Sequence, residues 1–335
     1  MHLLIPMAGK GKRMRPHTLT TPKPLIPIAG KPIVERLIQA VSVACPVPIT
    51  TIGFVVSELN AATRTQLVAM AQRVGAEAKF YGQSDALGTA HAVYCAQELL
   101  SGPVMIAFAD TLFRGDFVLD MDQESIVWVK TVTDPAAFGV VKTNDQGQVT
   151  DFVEKPTEFV SNLAIIGIYY FQDGTRLKQA LQTLVDEGVR KDGEYQLTTA
   201  LEQLSQQGMQ FATQEVQAWL DCGTKAAMLH TNRQFLDLLQ EEEVLIAPTA
   251  HLHNSVLIPP VYLGEQVVVQ NAVLGPHVSV GNHSRIDNAR IQNSIIQSHS
   301  NLYNTNLDSS MIGNYVQLRG RSAVVSIGDY NTLES

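Results

Sequence analysis

The chain has 335 residues, a net charge of −8 at pH 7 and a sequence that is 45% hydrophobic and 17% charged. This length exceeds one ordinary hydrophobic core, so we expect two domains in a folded, soluble protein. Because nucleic-acid binding needs a basic face, the acidic balance argues against a nucleic-acid partner.

The cysteines and the apolar segments indicate a compartment. Cys45, Cys95 and Cys222 are odd in number, widely spaced and without metal-ligand spacing, which is typical of reduced thiols. No apolar stretch approaches the roughly 18 residues of a membrane span, and a strand stands where a signal peptide would have its longer apolar core. We therefore expect a cytoplasmic protein with no membrane partner.

The first predicted element is a short buried strand, residues 3–7, that runs into a basic loop. The loop contains two glycines and five cations, namely Gly9, Gly11, Lys10, Lys12, Arg13, Arg15 and Lys23. Glycine lets backbone N–H groups approach an anion, and the cations supply charge. The spacing fits neither the Walker motif nor the dinucleotide fingerprint. Since open α/β sheets bind ligands at the carboxyl ends of their strands, we interpret it as a phosphate-binding loop rather than a solvated basic loop.

Strands and helices alternate from the N-terminus to Asp110. The apolar spacing predicts helices over 32–44, 62–74 and 88–100, and strands over 52–56, 78–81 and 104–109. This alternation is typical of an α/β fold with a doubly wound, mostly parallel sheet. Right-handed connections would gather the basic loop, residues 83–88 and Asp110 in one crevice.

Two aspartates follow strand-like segments. Asp110 ends an apolar strand, and Asp221 lies between a predicted strand at 217–220 and a helix that begins near Lys225. Carboxylates near a basic loop suit Mg²⁺, which is usually bound by one or two carboxylates and substrate phosphates. A turn or helix cap is the alternative for either aspartate alone.

Residues 126–171 predict a partly antiparallel insertion that covers the crevice, with strands at 126–132, 139–142, 149–153 and 164–171. It contains Glu154-Lys155-Pro156, in which the proline predicts an extended conformation for Lys155. Without further context, the glutamate and lysine would be interpreted as a surface ion pair.

Seven segments in this order resemble the motifs of one enzyme family. They are Gly9-x-Gly11-x-Arg13 through Pro22-Lys23-Pro24-Leu25, Gln83 with Leu87-Gly88-Thr89-Ala90, Asp110, Phe138-Gly139-Val140, Glu154-Lys155-Pro156, Ser161-Asn162-x-Ala164, and Leu220-Asp221-x-Gly223-Thr224. From the N-terminus to about Glu243 the chain resembles the sugar-1-phosphate nucleotidylyltransferases, and most of all their glucose-1-phosphate thymidylyltransferase branch.

The resemblance implies that an NTP and a sugar 1-phosphate react to give an NDP-sugar and pyrophosphate. It implies that the nucleotide binds to Ala8, Gly9, Gly11, Lys12, Gln83 and Gly88, and that the catalytic residues are Arg13, Lys23 and Lys155. It also implies that the sugar phosphate binds to Gly139, Glu154, Lys155 and Asn162, and that Mg²⁺ is held by Asp110 and Asp221. No general base is needed, because a phosphate monoester with a second pKa of about 6 is largely a dianion at neutral pH.

The nucleotide and the sugar are less certain from the sequence. The Gln83 amide can pair with the N3–H and a carbonyl of thymine or uracil, and Gly88 has no side chain to limit the 5-substituent, so dTTP or UTP is favoured. Ala8, Lys12 and Thr111 depart from the family pattern, where another glycine, a threonine and an asparagine are common. The last two keep mannose-1-phosphate guanylyltransferase open as an alternative.

The C-terminal part has a different repeat. Apolar residues recur every five or six positions at Val256, Tyr262, Val268, Leu274, Val280, Ile286, Ile291, Ile296, Leu302, Leu307, Ile312 and Leu318. This interval predicts a hexapeptide-repeat, left-handed parallel β-helix. Asn254, Asn271, Asn282, Asn288 and Asn293, with Gly264, Gly275, Gly281 and Gly313, suit turns that need positive φ.

We therefore predict a catalytic domain at 1–243 and a β-helix domain at 244–335 that serves homo-oligomer assembly. Two other functions stay open. One is a hexapeptide acyltransferase, because His277 and His283 lie six positions apart and are expected to stack on neighbouring faces. The other is a non-catalytic regulatory homologue, which loss of Lys23, Asp110 or Asp221 would signal.

Overall fold

The computed structural model describes residues 1–115 and 118–321. Its contacts divide the chain into two compact units, residues 1–26 with 31–224 and residues 27–30 with the segment from Lys225 onward. No helix in the described ranges is long and apolar enough to cross a membrane. The last part of the predicted C-terminal domain, residues 322–335, lies outside the described residues.

The described elements up to residue 224 alternate largely as predicted. The strands are β1 (His2–Pro6), β2 (Pro27–Ile28), β3 (Lys31–Pro32), β4 (Thr51–Val56), β5 (Glu77–Gly82), β6 (Val104–Ala107), β7 (Thr111–Arg114), β8 (Ser125–Thr131), β9 (Gly139–Thr143), β10 (Val149–Glu154), β11 (Leu163–Phe171), β12 (Phe211–Glu215) and β13 (Ala218–Asp221). The α-helices are α1 (Ile33–Ala44), α2 (Ala61–Arg73), α3 (Thr89–Cys95), α4 (Thr175–Asp186) and α5 (Leu197–Gln206).

The main sheet of the first unit is centred on β1. It has the order β10-β9-β11-β6-β1-β4-β5, and β8 joins it by pairing with β11 and β12. Strands β6, β1, β4 and β5 are mutually parallel, whereas β11 pairs antiparallel with β6. The predicted α/β sheet is confirmed on its parallel side. The strands of residues 126–171 extend this sheet instead of forming a separate layer over the crevice.

The helices are built on apolar stripes that face this sheet. In α1 the predicted positions Ile33, Leu37, Ile38 and Val41 are all buried. The third predicted helix is shorter than expected, because α3 ends at Cys95 and a 3-10 turn follows over Gln97–Leu99. Helices α4 and α5 and strand β12 lie in residues 172–216, for which the sequence analysis made no prediction.

The second unit contains one helix followed along the chain by a series of short parallel strands. The helix is α6 (Lys225–Leu239), and the strands are β14 (His251–His253), β15 (Val256–Leu257), β16 (Val261–Leu263), β17 (Val268–Gln270), β18 (Val273–Leu274), β19 (Val278–Val280), β20 (Arg285–Gln292), β21 (Ile295–Ile296), β22 (Asn301–Asp308), β23 (Met311–Ile312) and β24 (Gln317–Arg319). Strands β14 to β22 each pair in parallel with a strand about one repeat further along the chain, as in His251 with Val268 and Arg285 with Asn301.

The recurring apolar positions of the predicted repeat pack into the core from Leu274 onward, whereas before Leu274 the packed residue is one position away. Val256 is 57% exposed, whereas Leu263 and Val269 are fully buried and Leu257 packs against the same core. The pattern misled because apolar residues stand side by side at 256–257, 261–263 and 267–269. Tyr262 packs instead with Leu236 and Leu239 of α6.

The turn prediction was correct for four of the five asparagines and wrong for three of the four glycines. Asn254, Asn271, Asn288 and Asn293 have positive φ, as does Gly275, but Asn282, Gly264, Gly281 and Gly313 do not. A Cβ at Gly264 would lie 2.9 Å from the backbone nitrogen of Asn282, and one at Gly281 would lie 2.6 Å from that of Ser298. Close approach of the backbone of a later turn, at Asn282 and at Ser298, therefore requires these two glycines.

The predicted domain boundary after Glu243 differs from the division that the contacts show. Helix α6 precedes that boundary but belongs to the second unit, because its Leu236 and Leu239 pack with Ala29, Leu245 and Tyr262. Its Asn232 side chain, which is 1% exposed, accepts hydrogen bonds from Ala29 N–H at 2.9 Å and Ser279 Oγ–H at 2.8 Å.

Candidate active site

The basic loop leaves the sheet at the carboxyl end of β1, and its two glycines have different surroundings. Gly11 has a φ of +56°, and its carbonyl accepts hydrogen bonds from Met14 N–H at 2.9 Å and Thr18 Oγ1–H at 2.8 Å. A Cβ at Gly11 would lie 2.9 Å from Thr18, whereas a Cβ at Gly9 would meet nothing within 4 Å. The backbone therefore requires glycine at position 11, while the space at Gly9 is open to a ligand.

A cavity of about 210 Å³ opens beside this loop at the carboxyl ends of β1 and β6. Its lining includes the predicted site residues Ala8, Gly9, Lys23, Gln83, Gly88 and Asp110. The predicted gathering of the basic loop, the 83–88 segment and Asp110 in one crevice is confirmed. Lys12 and Arg13 lie in a 3-10 turn of the same loop, over Lys12–Met14, and are exposed.

The two aspartates are brought together by a strand pair that the sequence did not predict. Strand β7 follows Asp110 and pairs antiparallel with β13, which places Asp221 opposite Thr111. The N–H of Cys222 also donates to the carbonyl of Asp110 at 3.1 Å. Lys23 Nζ donates to Asp110 Oδ2 at 2.7 Å, and the Lys23 side chain is only 13% exposed.

Burial and a neighbouring charge both disfavour the ionised form of Asp221. Burial raises the pKa of Asp221, and the negative charge of Asp110 raises it further. Gly223 N–H, which donates to Asp221 Oδ1 at 3.0 Å, and the charges of Lys23 and Arg13 lower this pKa in part. A carboxylate whose ionisation is opposed by burial and by a neighbouring carboxylate favours a bound cation, and oxygen ligands suit Mg²⁺.

A metal at this site would need ligands besides protein side chains. Within residues 1–115 and 118–321, no group of three or more histidine, cysteine, aspartate or glutamate side chains could hold a metal ion. Two carboxylates with substrate phosphates or water are nevertheless a usual ligand set for Mg²⁺. The residues therefore fit this ion.

Gly139 and Glu154 form a second cluster, together with Thr198. Glu154 pairs with Gly139 across the β9–β10 hairpin, and its Oε2 accepts a hydrogen bond from Thr198 Oγ1–H at 3.1 Å. Lys155 lies at the end of this hairpin, where its N–H donates to Phe138 O at 3.1 Å and its side chain is 58% exposed.

The predicted extended conformation of Lys155 is wrong, because its φ is +42°. A following proline disfavours the right-handed helical region but leaves the left-handed region that Lys155 adopts. Asn162 lies just before β11, where its carbonyl accepts a hydrogen bond from Val132 N–H at 2.9 Å. Its side chain is exposed and makes no hydrogen bond within the described part of the chain.

Thr111, which departs from the family pattern, is used by the fold. Its side chain is buried, and Oγ1–H donates to the carbonyl of Ile166 at 2.7 Å. The hydroxyl is therefore committed to the sheet, and it is not a substitute for an asparagine that binds sugar.

The Gln83 side chain is held by protein atoms on its nitrogen side. Its Nε2 lies 3.1 Å from Gly88 O and 3.1 Å from His91 Nδ1, so both N–H groups have acceptors. Gly88 has a φ of +114°, and a Cβ there would lie 2.5 Å from Tyr195 O. The fold itself therefore requires glycine at position 88, which differs from the predicted reason, room for a base.

Several residues of this site were missed by the sequence analysis. Glu194 lines the cavity, Thr198 binds Glu154, and Tyr195 N–H donates to Leu87 O at 2.8 Å. His91 directly follows the motif over residues 87–90, and a polar side chain at that position of a buried helix was a usable signal. The 194–198 segment has no sequence spacing that links it to the other motifs.

The predicted histidine stack in the second unit is also corrected. The ring of His283 stacks on that of His299, with centroids 4.8 Å apart. Vertical neighbours belong to successive coils of the repeat, and they are therefore not the residues six positions apart. His277 Nε2 instead contacts Asp237 Oδ1 at 2.7 Å.

The fold and the site together define a class of protein. A parallel α/β sheet with a glycine-rich basic loop, a cavity and paired aspartates at its carboxyl edge is an arrangement of enzymes that act on nucleotides. The chain belongs to the Nucleotidyl transferase family, whose model matches residues 3–237. The predicted class of enzyme, a sugar-1-phosphate nucleotidylyltransferase, is thereby confirmed.

Individual relatives agree with this assignment. The chain is 27% identical over 341 residues to a glucose-1-phosphate thymidylyltransferase of Streptomyces antibioticus, covering 95% of this chain and 93% of that protein. It is 27% identical over 279 residues to the bifunctional protein GlmU of Methanococcus maripaludis, covering 83% of this chain and 62% of that one. A solved UDP-glucose pyrophosphorylase with UDP-glucose matches at a TM-score of 0.58 and 21% identity, over 71% of this chain and 98% of that chain, which shows the fold.

Proposed function

We propose that the enzyme transfers a nucleotidyl group from dTTP or UTP to a sugar 1-phosphate, with glucose 1-phosphate favoured. The observation that carries this proposal is the meeting of Lys23, Asp110 and Asp221 beside the open glycine loop. The similarity to glucose-1-phosphate thymidylyltransferase over nearly the whole chain supports the choice of sugar and nucleotide.

In the proposed reaction, an oxygen of the sugar phosphate attacks the α-phosphorus of the nucleotide, and the bond to the β-phosphate breaks to release pyrophosphate. The open space at Gly9 and the charge of Arg13 suit the triphosphate, while Lys23 and Lys155 suit the sugar phosphate. Mg²⁺ held by Asp110 and Asp221 would neutralise charge on the phosphate oxygens. The protein has to position two anions that repel each other, and this inventory of cations suits that task.

The proposed base contact uses only the acceptor of Gln83. Both amide N–H groups face protein acceptors, and no hydrogen bond from the described residues reaches Oε1. An acceptor pairs with the N3–H of thymine or uracil and rejects cytosine, whose N3 is itself an acceptor. Guanine also carries a ring N–H, so the contact alone leaves GTP with mannose 1-phosphate as the second candidate.

For the second unit we propose a left-handed hexapeptide-repeat β-helix that assembles the protein into a homo-oligomer. The β-helix is supported by the parallel pairing of strands from successive coils, from His251 with Val268 through to Asn301 with Gln317. Acyl transfer is the weaker alternative, because His277 is already paired with Asp237. The presence of Lys23, Asp110 and Asp221 argues against a non-catalytic homologue. The cytoplasmic location stays a prediction.

A pyrophosphate-release screen tests the proposal. The protein is incubated with Mg²⁺ and dTTP, UTP, CTP, GTP or ATP against glucose 1-phosphate, mannose 1-phosphate and N-acetylglucosamine 1-phosphate. We expect the highest kcat/KM with dTTP or UTP and glucose 1-phosphate. A strong preference for GTP with mannose 1-phosphate would select the second candidate, and no release from any pair would reject the function.

A further inference from the structure

Gln83 is held by three contacts, one through its backbone N–H and two through its side-chain amide. Its backbone N–H donates to Val56 O at 2.7 Å, which holds the residue at the end of the sheet. Its side-chain nitrogen contacts Gly88 O and His91 Nδ1, each at 3.1 Å. A carbonyl oxygen can only accept, so the contact with Gly88 identifies the nitrogen side of the amide. The side chain is 6% exposed and lines the cavity, so the orientation of this amide decides what the cavity offers to a base.

The contact with His91 requires one protonation state of the imidazole. The Gln83 nitrogen has only N–H groups to offer, so Nδ1 must carry a lone pair and the ring must be neutral, with its proton on Nε2. Cys95 Sγ lies 3.8 Å from the same Nδ1 and can also donate to it. A protonated His91 would place an N–H opposite the amide nitrogen.

The surroundings of His91 favour that neutral ring. Burial lowers the pKa of His91, the positive charge of Arg190 lowers it further, and Asp85 raises it in part. Arg190 is held over the ring of Tyr195, 4.5 Å from its centroid, and this tyrosine stacks on the His91 ring at 6.4 Å. A cation is therefore held near His91 through Tyr195.

We propose that His91 is a positioning residue for nucleotide selection, because its neutral Nδ1 holds the Gln83 amide with Oε1 toward the base. This inference rests on the proposed function. When His91 is protonated, Nδ1–H favours Oε1 of Gln83 while Gly88 O still favours the nitrogen, so the two partners demand opposite orientations. A Gln83 amide in the flipped orientation presents its N–H groups to the base and can bind cytosine, whose N3 is a hydrogen-bond acceptor.

The test measures discrimination between two nucleotides of nearly equal size. The ratio of kcat/KM for dTTP to that for CTP, with CTP also measured as a competitive inhibitor, is determined with glucose 1-phosphate at about pH 8 and at the lowest pH at which the enzyme is active, because the lowered pKa of His91 places its protonation below the ordinary histidine range. The variants are His91→Leu, which removes the acceptor, and His91→Asn, which keeps an oxygen near the position of Nδ1 but does not titrate. Cys95→Ala is the matched control, because it removes the other contact of Nδ1.

One net hydrogen bond corresponds to a change of about threefold to tenfold in the ratio. We expect the wild-type ratio to fall by this factor in acid, His91→Leu to show the lower ratio at both pH values, and His91→Asn and Cys95→Ala to keep the high ratio at about pH 8. His91→Asn should keep it in acid too, which also controls for effects of pH on the nucleotides. In a Gln83→Ala background, His91→Leu should have no further effect, which a merely structural role would not produce.

The outcomes separate the two proposals. An active enzyme whose ratio is the same in wild type and His91→Leu, or whose response to His91→Leu persists in Gln83→Ala, would overturn the role of His91 alone. No pyrophosphate release by the wild type from any nucleotide would overturn the proposed function, and this inference with it.

Discussion

Neutralising either aspartate of the site should abolish activity, but the two changes should affect stability in opposite directions. Asp110→Asn removes the ion pair with Lys23, at 2.7 Å, and leaves the charged lysine with a neutral amide oxygen as its acceptor. Because the Asp110 side chain is 41% exposed, solvent screening limits the loss to about 1 kcal/mol. This corresponds to a fall in Tm of about 2–4 °C for a unit of this size.

Asp221→Asn should leave stability unchanged or raise it. The pKa of Asp221 is raised in the folded protein, so at neutral pH the ionised form is disfavoured by folding, and an uncharged amide removes that cost. The cost is absent below the ordinary pKa of 3.8, where the carboxyl is protonated in both states, so the gain should shrink as the pH is lowered. Both variants should lose at least about 100-fold in turnover, because each is proposed to hold Mg²⁺.

The assay is thermal unfolding followed by circular dichroism in EDTA, with pyrophosphate release measured separately in Mg²⁺. Asp145→Asn, at an exposed aspartate in the turn after β9, is the matched control and should change neither property. Equal losses of stability in Asp110→Asn and Asp221→Asn would refute the electrostatic reasoning. Unchanged turnover in either variant would refute its assignment to the metal.

Four further changes test the phosphate loop, the cations and the second unit. Gly9→Ala should fold with a stability within about 0.5 kcal/mol of wild type but raise the KM for nucleotide, because its Cβ meets open space in which a phosphate is proposed to bind; an unchanged KM would exclude close approach there. Lys155→Ala should mainly raise the KM for sugar phosphate and Arg13→Ala mainly that for nucleotide, and equal effects on both substrates would contradict this division. Cutting the chain after Glu243 should give a protein that unfolds at a lower temperature or aggregates, because Leu236 of α6 loses Tyr262 and Leu245; a stable product would show that α6 needs no such cover.

The sequence was sufficient to predict the structure where a single physical rule determines the local fold. Periodicity and composition predicted the four parallel strands and the three α-helices over residues 1–110, though not the two-residue strands β2 and β3, because buried parallel strands and amphipathic helices carry strong local signals. The same holds for the crevice, since all strands of the parallel side end at one edge. Where two adjacent residues were both apolar, as at Val256 and Leu257, periodicity could not select the inward one.

Other parts of the site depend on contacts between distant residues. Strand β7 is short, and its pairing with β13 became visible only in three dimensions. Gly88 was correctly singled out, but its reason, the backbone of Tyr195, lies far away in the chain. The left-handed conformation of Lys155 depends on its hydrogen bond to Phe138 and on the end of a hairpin, which a rule about the next residue does not contain.

The ribbon of β7 and β13 also joins two residues that are synthesised at very different times. Asp110 is synthesised long before Asp221, and the ribbon that joins their strands is separate from the main sheet. A growing chain that has just passed Asp110 contains the glycine loop and Gln83, but it lacks Asp221 and the backbone of Tyr195 against which Gly88 packs. The candidate site is therefore complete only after the last strand of the first unit has been synthesised.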